Sequence, residues 1–365
     1  MAKGTGHVLA LVGGQFGSEG KGVIVAYIAD RYNVHVRTGG TNAGHTFMHQ
    51  GVKRVMQTVP CGWVNPNAIL VIGRGGLIEM DILKREVNEI LEIDPYFTHR
   101  LIVDSRCGVI SQWHMDEEGG VQGELHQRIG STGKGVGAAR RDRLMRDPLK
   151  FLTVAEYIKQ EGDVEFSDGS KLSQCLHDDT PRYLQQQRNL GQDILLEGTQ
   201  GSGLDLIHGQ WPYVTSNGTN AAQMAADAGI PPQHVDQVML VCRTYPIRVA
   251  GNSGDLKDEV TWDQLSELIG ETVVEKTTVT KKVRRVGRWD EDLVDQSVLL
   301  NAPTSIAITF MDYISPQDRG KTLEHELSQT ARAFIDYVEA RFGTPVSLVG
   351  TGGEGFQVVE TGEDL

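Results

Sequence analysis

The sequence is short of positive charge, of paired cysteine and of long apolar runs, and each shortage closes off a class of protein. Against 48 acidic residues stand 35 lysines and arginines, a formal net charge of −13 at neutral pH. Affinity for a nucleic-acid backbone rests on excess Lys and Arg, so no nucleic-acid partner is expected. The four cysteines, Cys61, Cys107, Cys175 and Cys242, lie far apart with no C-x-x-C pair and no clustered histidines. Neither a zinc site nor a disulfide framework is indicated, and a reducing cytoplasm is the expected location. No apolar run approaches the roughly 20 residues that cross a bilayer. The apolar N-terminal stretch leads straight into glycines instead of a cleavage-site pattern, so it reads as a first strand and not a signal. No internal repeat and no Pro/Gly/Ser-rich linker divides the 365 residues, and a single domain over 1–365 is expected.

What the chain does have is β-branched apolar runs that recur throughout: "HVLALVGG" from residue 7, "LIVD" from 101, "DILLEGTQG" from 193, "QVMLVCRTYPIRV" from 237, "SIAITFMD" from 305 and "PVSLVGTGG" from 345. Several end in Gly, Thr or Asp, as where buried parallel strands deliver loops to a site at their carboxyl ends. Amphipathic helical patterns lie between them, over 77–93 and over 321–343 before a glycine stop. The pattern predicts an α/β fold with a mainly parallel central sheet, flanking helices and long inserted loops.

After the first run comes "GGQFGSEGKG", residues 13–22, with five glycines, Ser18, Glu19 and Lys21. A Walker A loop needs Gly at the place of Gln15 and Ser or Thr at that of Gly22, and a dinucleotide G-x-G-x-x-G also needs Gly at 15. Neither template is met. What remains is a strand, a turn whose backbone N–H groups can approach an anion, and a lysine to add charge. A second glycine-rich segment, "RTGGTNAGHTF" from 37, offers Asn42 for polar contact and His45 for proton transfer. A third, "IGSTGKGVGAARRDRLMR" from 129, reads as a site for a monophosphate.

Together, "GSEGKG", "NAGH", "STGKG", "EGTQG", "PYVTS" and "TTVTKKVRRVGRWD" resemble, in order, the GDEGKG, NAGH, TTGRG, EGAQG, PYVTS and Thr/Arg-rich patterns of adenylosuccinate synthetases. That family joins aspartate to C6 of inosine monophosphate with GTP. The resemblance implies an α/β fold, a homodimer, and phosphorylation of the purine O6 followed by displacement of that phosphate by the aspartate amine. Catalytic roles would fall on the residue at position 18 and on Lys21, His45 and Gln200. The nucleotide monophosphate would be gripped by Ser18, Asn42, Ser131, Thr132, Gln200 and Thr215, with Arg146 reaching across from the other subunit. The donor triphosphate would meet Gln15, Gly17, Glu19, Gly20, Lys21 and Gly22 of the loop, then Gly44, His45 and Thr46, then Arg284, Phe310, Asp312, Gly350 and Gly352. Mg²⁺ would be held at Ser18 and the Gly44 carbonyl, and the aspartate substrate at Thr278, Val279, Thr280, Lys282 and Arg284. A guanidinium pairs bidentately with a carboxylate, which favours Arg284.

Three positions depart from the family pattern. Ser18 stands where the family has an aspartate that takes the purine N1 proton and ligates Mg²⁺. Serine is a poor base, and losing a general base costs on the order of 10²–10⁴ in rate. It is also smaller, which leaves room beside purine C2, where guanine carries an amino group. This serine resembles the viral branch of the family, the 2-aminoadenylosuccinate synthetases, which use dGMP, aspartate and ATP or dATP to supply diaminopurine for phage DNA. Glu19, a water or the substrate's own phosphate are the candidates for the missing base. Phe310 replaces the lysine of a guanine-recognising TKLD-like motif, which points to ATP or dATP as donor over GTP. Lys282 takes an arginine position in the aspartate loop and supplies charge without the guanidinium fork. The competing expectations are an ordinary synthetase acting on inosine monophosphate with GTP, and an inactive nucleotide-binding homologue.

Overall fold

The run Val8–Gly13 (β1) is buried along its whole length. Leu9 and Leu11 point into one apolar cluster, and Val8, Ala10 and Val12 into another. Successive side chains of a strand face opposite sides of its sheet, so a strand covered on both faces must be apolar throughout. A computed structural model describes residues 4–276 and 282–362. Around β1 it assembles β2 (Val34–Arg37), β3 (Ile69–Ile72), β4 (Leu101–Asp104), β5 (Leu176–His177), β6 (Ile194–Glu197), β7 (Gln237–Arg243), β8 (Ser305–Thr309), β9 (Val346–Gly350) and β10 (Val358–Glu360).

The sheet order is β10-β9-β8-β7-β1-β6-β2-β3-β4-β5, with β10 antiparallel to β9 and the other pairings parallel. Helices Lys21–Tyr27 and Met80–Leu91 contribute to the core on one face; helices Ala221–Ala228, Glu291–Asn301 and Gln329–Phe342 cover the other. From β1 the chain first builds outwards through β2 to β5. It then returns as β6 to fill the slot between β1 and β2, and β7 to β9 extend the opposite side. The order therefore reverses beside β1, where open α/β sheets form a crevice at the strands' carboxyl ends.

Two helical stretches differ from the sequence pattern. Leu77 and Ile78 leave the expected helix and pair in parallel with Gly108 and Val109, so the helix starts at Met80. The stretch after 321 holds an isolated turn at Glu324–Glu326, and its helix begins only at Gln329, where the Ser328 hydroxyl caps the Ala331 N–H at 3.1 Å. Among the described residues no helix is long and apolar enough to cross a membrane.

Candidate active site

Gly13 ends β1, and the chain folds back over the carboxyl edge of the sheet. A Cβ at Gly13 would lie 2.3 Å from the Gln200 carbonyl oxygen and 2.8 Å from Lys21 Nζ, so only glycine admits the closeness of the three segments. The loop closes on its own anion. Glu19, fully buried, accepts hydrogen bonds from the Gln15 N–H at 3.1 Å, the Gly17 N–H at 2.7 Å and Lys21 Nζ at 2.5 Å. Lys21 Nζ also donates to the Gln200 carbonyl at 2.5 Å, which leaves the ammonium at the junction of β1 and β6. Gln15 is turned inward as a clamp: its amide exchanges two 3.0 Å hydrogen bonds with the Arg243 backbone at the end of β7.

Ser18 is exposed and held at φ 60°, and Gln200 at φ 56°. Non-glycine residues in this left-handed region are uncommon and cluster at functional sites. The Ser18 hydroxyl accepts a short hydrogen bond from Arg284 Nη1. Its carbonyl accepts from Arg243 Nη1 at 3.1 Å. The buried Arg243 is in turn paired with Glu275 and stacked 3.8 Å from the centre of the Phe310 ring.

His45 begins the hairpin His45–His49/Val52–Met56, which leans on helix Lys21–Tyr27. His45 Nδ1 lies 2.5 Å from Glu197 Oε1, at the end of β6, and Glu197 also accepts from Arg37 Nη1 at 2.8 Å and from the Cys61 N–H at 2.6 Å. Burial and then the Arg37 charge push the imidazole down to about 4, against the pull of Glu197. Burial alone would raise the Glu197 carboxyl, but Arg37, the His45 hydrogen bond and the Cys61 amide outweigh it and bring it down to about 2. The pair is therefore a neutral imidazole beside a carboxylate near neutral pH. His45, Cys61 and Glu197 could together face a metal ion, since their ligand atoms all lie within 4.8 Å of one another. The Arg37 guanidinium already supplies the cation there.

These elements wall a cavity of about 670 Å³, within the usual range of small-molecule sites. Ser18, Lys21, Asn42, Gly44, His45, Ser131, Thr132, Gln200, Thr215, Lys282 and Arg284 all line it, together with Gly17. Gln200 Nε2 donates to Asn42 Oδ1 at 3.2 Å, tying two of these segments across the opening. Lys282 Nζ lies 3.1 Å from His126 Nε2, another wall residue. Gln15, Glu19, Gly20, Gly22 and Thr46 sit behind or beside this wall and do not line it. Gly20 and Gly350 converge on Thr309 at the end of β8, whose hydroxyl donates to the Glu19 carbonyl at 2.6 Å. Phe310 and Asp312 follow directly, and Gly352 follows β9. Asp312 is buried with Oδ1 unpaired; burial raises its carboxyl above the ordinary value, with Arg319 opposing. Arg146 is exposed, outside the cavity. Thr278, Val279 and Thr280 lie outside the described residues.

Sequence reasoning passed over Glu197, Arg37, Arg243 and Glu275. Glu197 stood inside the quoted "EGTQG", and a carboxylate ending an apolar run was its available signal. Arg248, another wall residue, lies 4.1 Å above the Phe16 ring and was equally silent in the sequence.

A parallel sheet whose order reverses at a glycine loop, with lysine, histidine and amide groups converging on one cavity, defines a nucleotide-dependent α/β enzyme of the phosphoryl-transferring kind. The adenylosuccinate synthetase family model matches residues 10–168 and 164–321. The adenylosuccinate synthetase of Methanococcus vannielii is 38% identical over 353 residues, 96% of this chain and 97% of its own. That of Methanocaldococcus jannaschii is 37% identical over 360 residues, covering 97% of both. Among solved structures, the cyanophage S-2L succinoaminodeoxyadenylate synthetase bound to dGMP and dATP superposes with a TM-score of 0.80 at 27% identity, over 98% of this chain and 96% of that one. The fully ligated adenylosuccinate synthetase of Plasmodium falciparum gives a TM-score of 0.81 at 21% identity, over 98% and 100%, and shares the fold. The chain belongs to the adenylosuccinate synthetase family. It is a carbon–nitrogen ligase that joins aspartate to a purine nucleotide.

Proposed function

We propose that this ligase acts on a 2-aminopurine nucleotide, dGMP, with ATP or dATP as donor, and releases 2-amino-2′-deoxyadenylosuccinate, ADP or dADP, and phosphate. The observation that carries the reading is Ser18, a short hydroxyl side chain lining the cavity where family sequences carry aspartate. Forcing an extra group into a packed site costs roughly 1–3 kcal/mol, so a smaller residue beside purine C2 favours the substrate with the 2-amino group. The structural likeness to a cyanophage enzyme solved with dGMP and dATP supports the same substrates, and it alone supports deoxyribose.

In this reading the γ-phosphoryl group passes to the purine O6, and the aspartate amine then attacks C6 as phosphate leaves. Lys21 contacts the transferring group and His45 faces the β–γ bridge of the donor. Asn42, Ser131, Thr132, Gln200 and Thr215 hold the monophosphate, and Lys282 and Arg284 the aspartate carboxylates. The donor base lies by Phe310 and Asp312, with Gly350 and Gly352 allowing close approach. The Gly44 carbonyl is a hard neutral oxygen that would suit Mg²⁺ carried mainly by substrate phosphates, and the Ser18 hydroxyl, which accepts from the Arg284 guanidinium, would join it with its remaining lone pair. When bound, the ion neutralises charge on the transferring phosphoryl group. Arg146 acts in the neighbouring subunit of a homodimer. Exposed Leu144, Met145 and Leu149 beside it, 78%, 68% and 93% accessible, offer apolar surface for that contact.

Steady-state turnover of the purified protein with dGMP, GMP and inosine monophosphate, each with ATP, dATP and GTP, tests the reading. Efficient use of inosine monophosphate with none of dGMP overturns it. A second reading, an ordinary synthetase, is favoured by the higher identity to archaeal adenylosuccinate synthetases, 38% against 27% for the cyanophage enzyme. The same assay separates the two.

A further inference from the structure

Lys282 and Arg284 stand two residues apart and both line the cavity, while Val283 between them pairs antiparallel with Lys276. Alternate residues of an extended stretch share a face, so the two cations are presented together. Arg284 is tied to the loop after β1 through the Ser18 hydroxyl. Lys282 is tied to a different segment: its Nζ lies 3.1 Å from Nε2 of His126, on the short helix Glu124–Ile129. The partners of that imidazole fix its hydrogen. Nδ1 lies 2.5 Å from the Ser131 carbonyl oxygen, which only accepts, so Nδ1 is the donating nitrogen. Nε2 faces an ammonium, which only donates, so it is the accepting one. The ring, itself a cavity residue, therefore bridges the Ser131 segment to Lys282 with both nitrogens engaged.

We propose that His126 is a positioning residue for aspartate binding: its Nε2 holds the Lys282 ammonium where a carboxylate of the substrate meets it. The inference rests on the reading above in which Lys282 and Arg284 take the aspartate carboxylates. A lysine ammonium is a point charge on a flexible four-carbon stem, whereas the arginine fork is pre-organised. A stem that becomes ordered only when the ligand binds subtracts that ordering from affinity. His126 orders it beforehand. An ammonium has three donors, so one given to the imidazole does not withdraw the charge from the cavity. The site then presents two cations to a dicarboxylate, each anchored to a separate segment, Arg284 to Ser18 and Lys282 to His126. An imidazole that merely packed the wall would matter for stability and leave the folded enzyme's affinity for aspartate untouched.

Steady-state kinetics of the full chain test the assignment. His126→Ala is expected to raise KM for aspartate about 3- to 10-fold, with kcat and the nucleotide KM values within about twofold. An unchanged KM for aspartate overturns the proposal. In a Lys282→Ala background the same substitution is expected to add nothing. An equal effect with and without the lysine overturns the proposal too, because His126 then does not act through Lys282. The bridge is also read without activity, by long-range ¹H–¹⁵N correlation of the ¹⁵N-histidine-labelled protein. His126 is expected with Nδ1 protonated and Nε2 bare, and Lys282→Ala is expected to shift the Nε2 resonance; an Nε2–H tautomer or an unmoved signal overturns the proposal. Lys282→Ala alone tests the underlying reading. An unchanged KM for aspartate there removes Lys282 from aspartate binding, while the spectrum still reports whether the bridge exists.

Discussion

The Ser18 hydroxyl accepts a hydrogen bond from the Arg284 guanidinium and so joins the loop after β1 to the segment that closes the far wall of the cavity. A hydroxyl whose oxygen accepts from a cation keeps its own hydrogen free to donate. At this position the side chain therefore offers the cavity a hydrogen-bond donor and one remaining lone pair, where aspartate would offer only acceptors and a base. Ser18→Asp would pair its new carboxylate with Arg284 and fill the space that the proposed function gives to the purine 2-amino group. We expect kcat/KM for dGMP to fall by about 5- to 150-fold, the equivalent of 1–3 kcal/mol of overpacking. The ratio of inosine monophosphate to dGMP turnover should rise. Undiminished use of dGMP would remove Ser18 from specificity.

Arg146 and Lys21 give a test of the shared site. If Arg146 serves the partner's cavity, Arg146→Ala and Lys21→Ala proteins are each nearly inactive, but mixing them creates hybrid dimers with one cavity that keeps both residues. Recovery of about a quarter of wild-type activity at equal mixing is expected from random exchange of subunits. No recovery, in a mixture shown to exchange, would mean that Arg146 acts within its own chain or not at all.

Phe310 has one face occupied, since the buried Arg243 guanidinium stacks on it at 3.8 Å. Phe310→Lys restores the residue of guanine-recognising relatives but sets a second cation against Arg243. The stacking is worth up to about 2 kcal/mol when desolvated, so a stability loss of about 1–3 kcal/mol is expected in urea unfolding. A variant as stable as the parent would show that Arg243 contributes little through this ring.

His35 predicts an acid-sensitive fold. It is fully buried on β2, with Nε2 hydrogen-bonded to the Ala29 carbonyl at 3.1 Å and Nδ1 unpaired. Burial lowers it from 6.5 to about 4. Between those values the unfolded chain binds more protons, so its contribution is fully present above pH 6.5 and is lost as pH falls towards 4. The loss amounts to at most about 3 kcal/mol, and His45 adds in the same direction. Urea midpoints should drop between about pH 7 and pH 5, and His35→Gln should flatten part of that slope. A level midpoint across the range would refute the assignment.

Much of the sheet was legible before the structure because its longer strands are apolar runs closed by a glycine or a polar residue. The stretches beginning at 7, 101, 193, 237, 305 and 345 all contain strands of the central sheet. Val34–Arg37 was not legible. His35 and Arg37 make it look like a polar loop, and both are buried only because the structure finds them partners: the Ala29 carbonyl for one, Glu197 for the other. The short edge strand Leu176–His177 carries too few residues for any periodicity to register.

The sequence by itself determined the α/β class, the order of the glycine-rich segments and the family, because glycine spacing and apolar runs are local properties of the chain. Tertiary structure decided which polar groups serve the frame and which face the cavity. Glu19, a candidate base by sequence, has its carboxylate bonded to the loop's own amides and to Lys21. Glu197, from 160 residues beyond Arg37, has its carboxylate shared between Arg37 and the cavity's histidine. A carboxylate's role depends on what lies within about 3 Å of its oxygens, and in this molecule those neighbours come from strands that meet only when the sheet has formed.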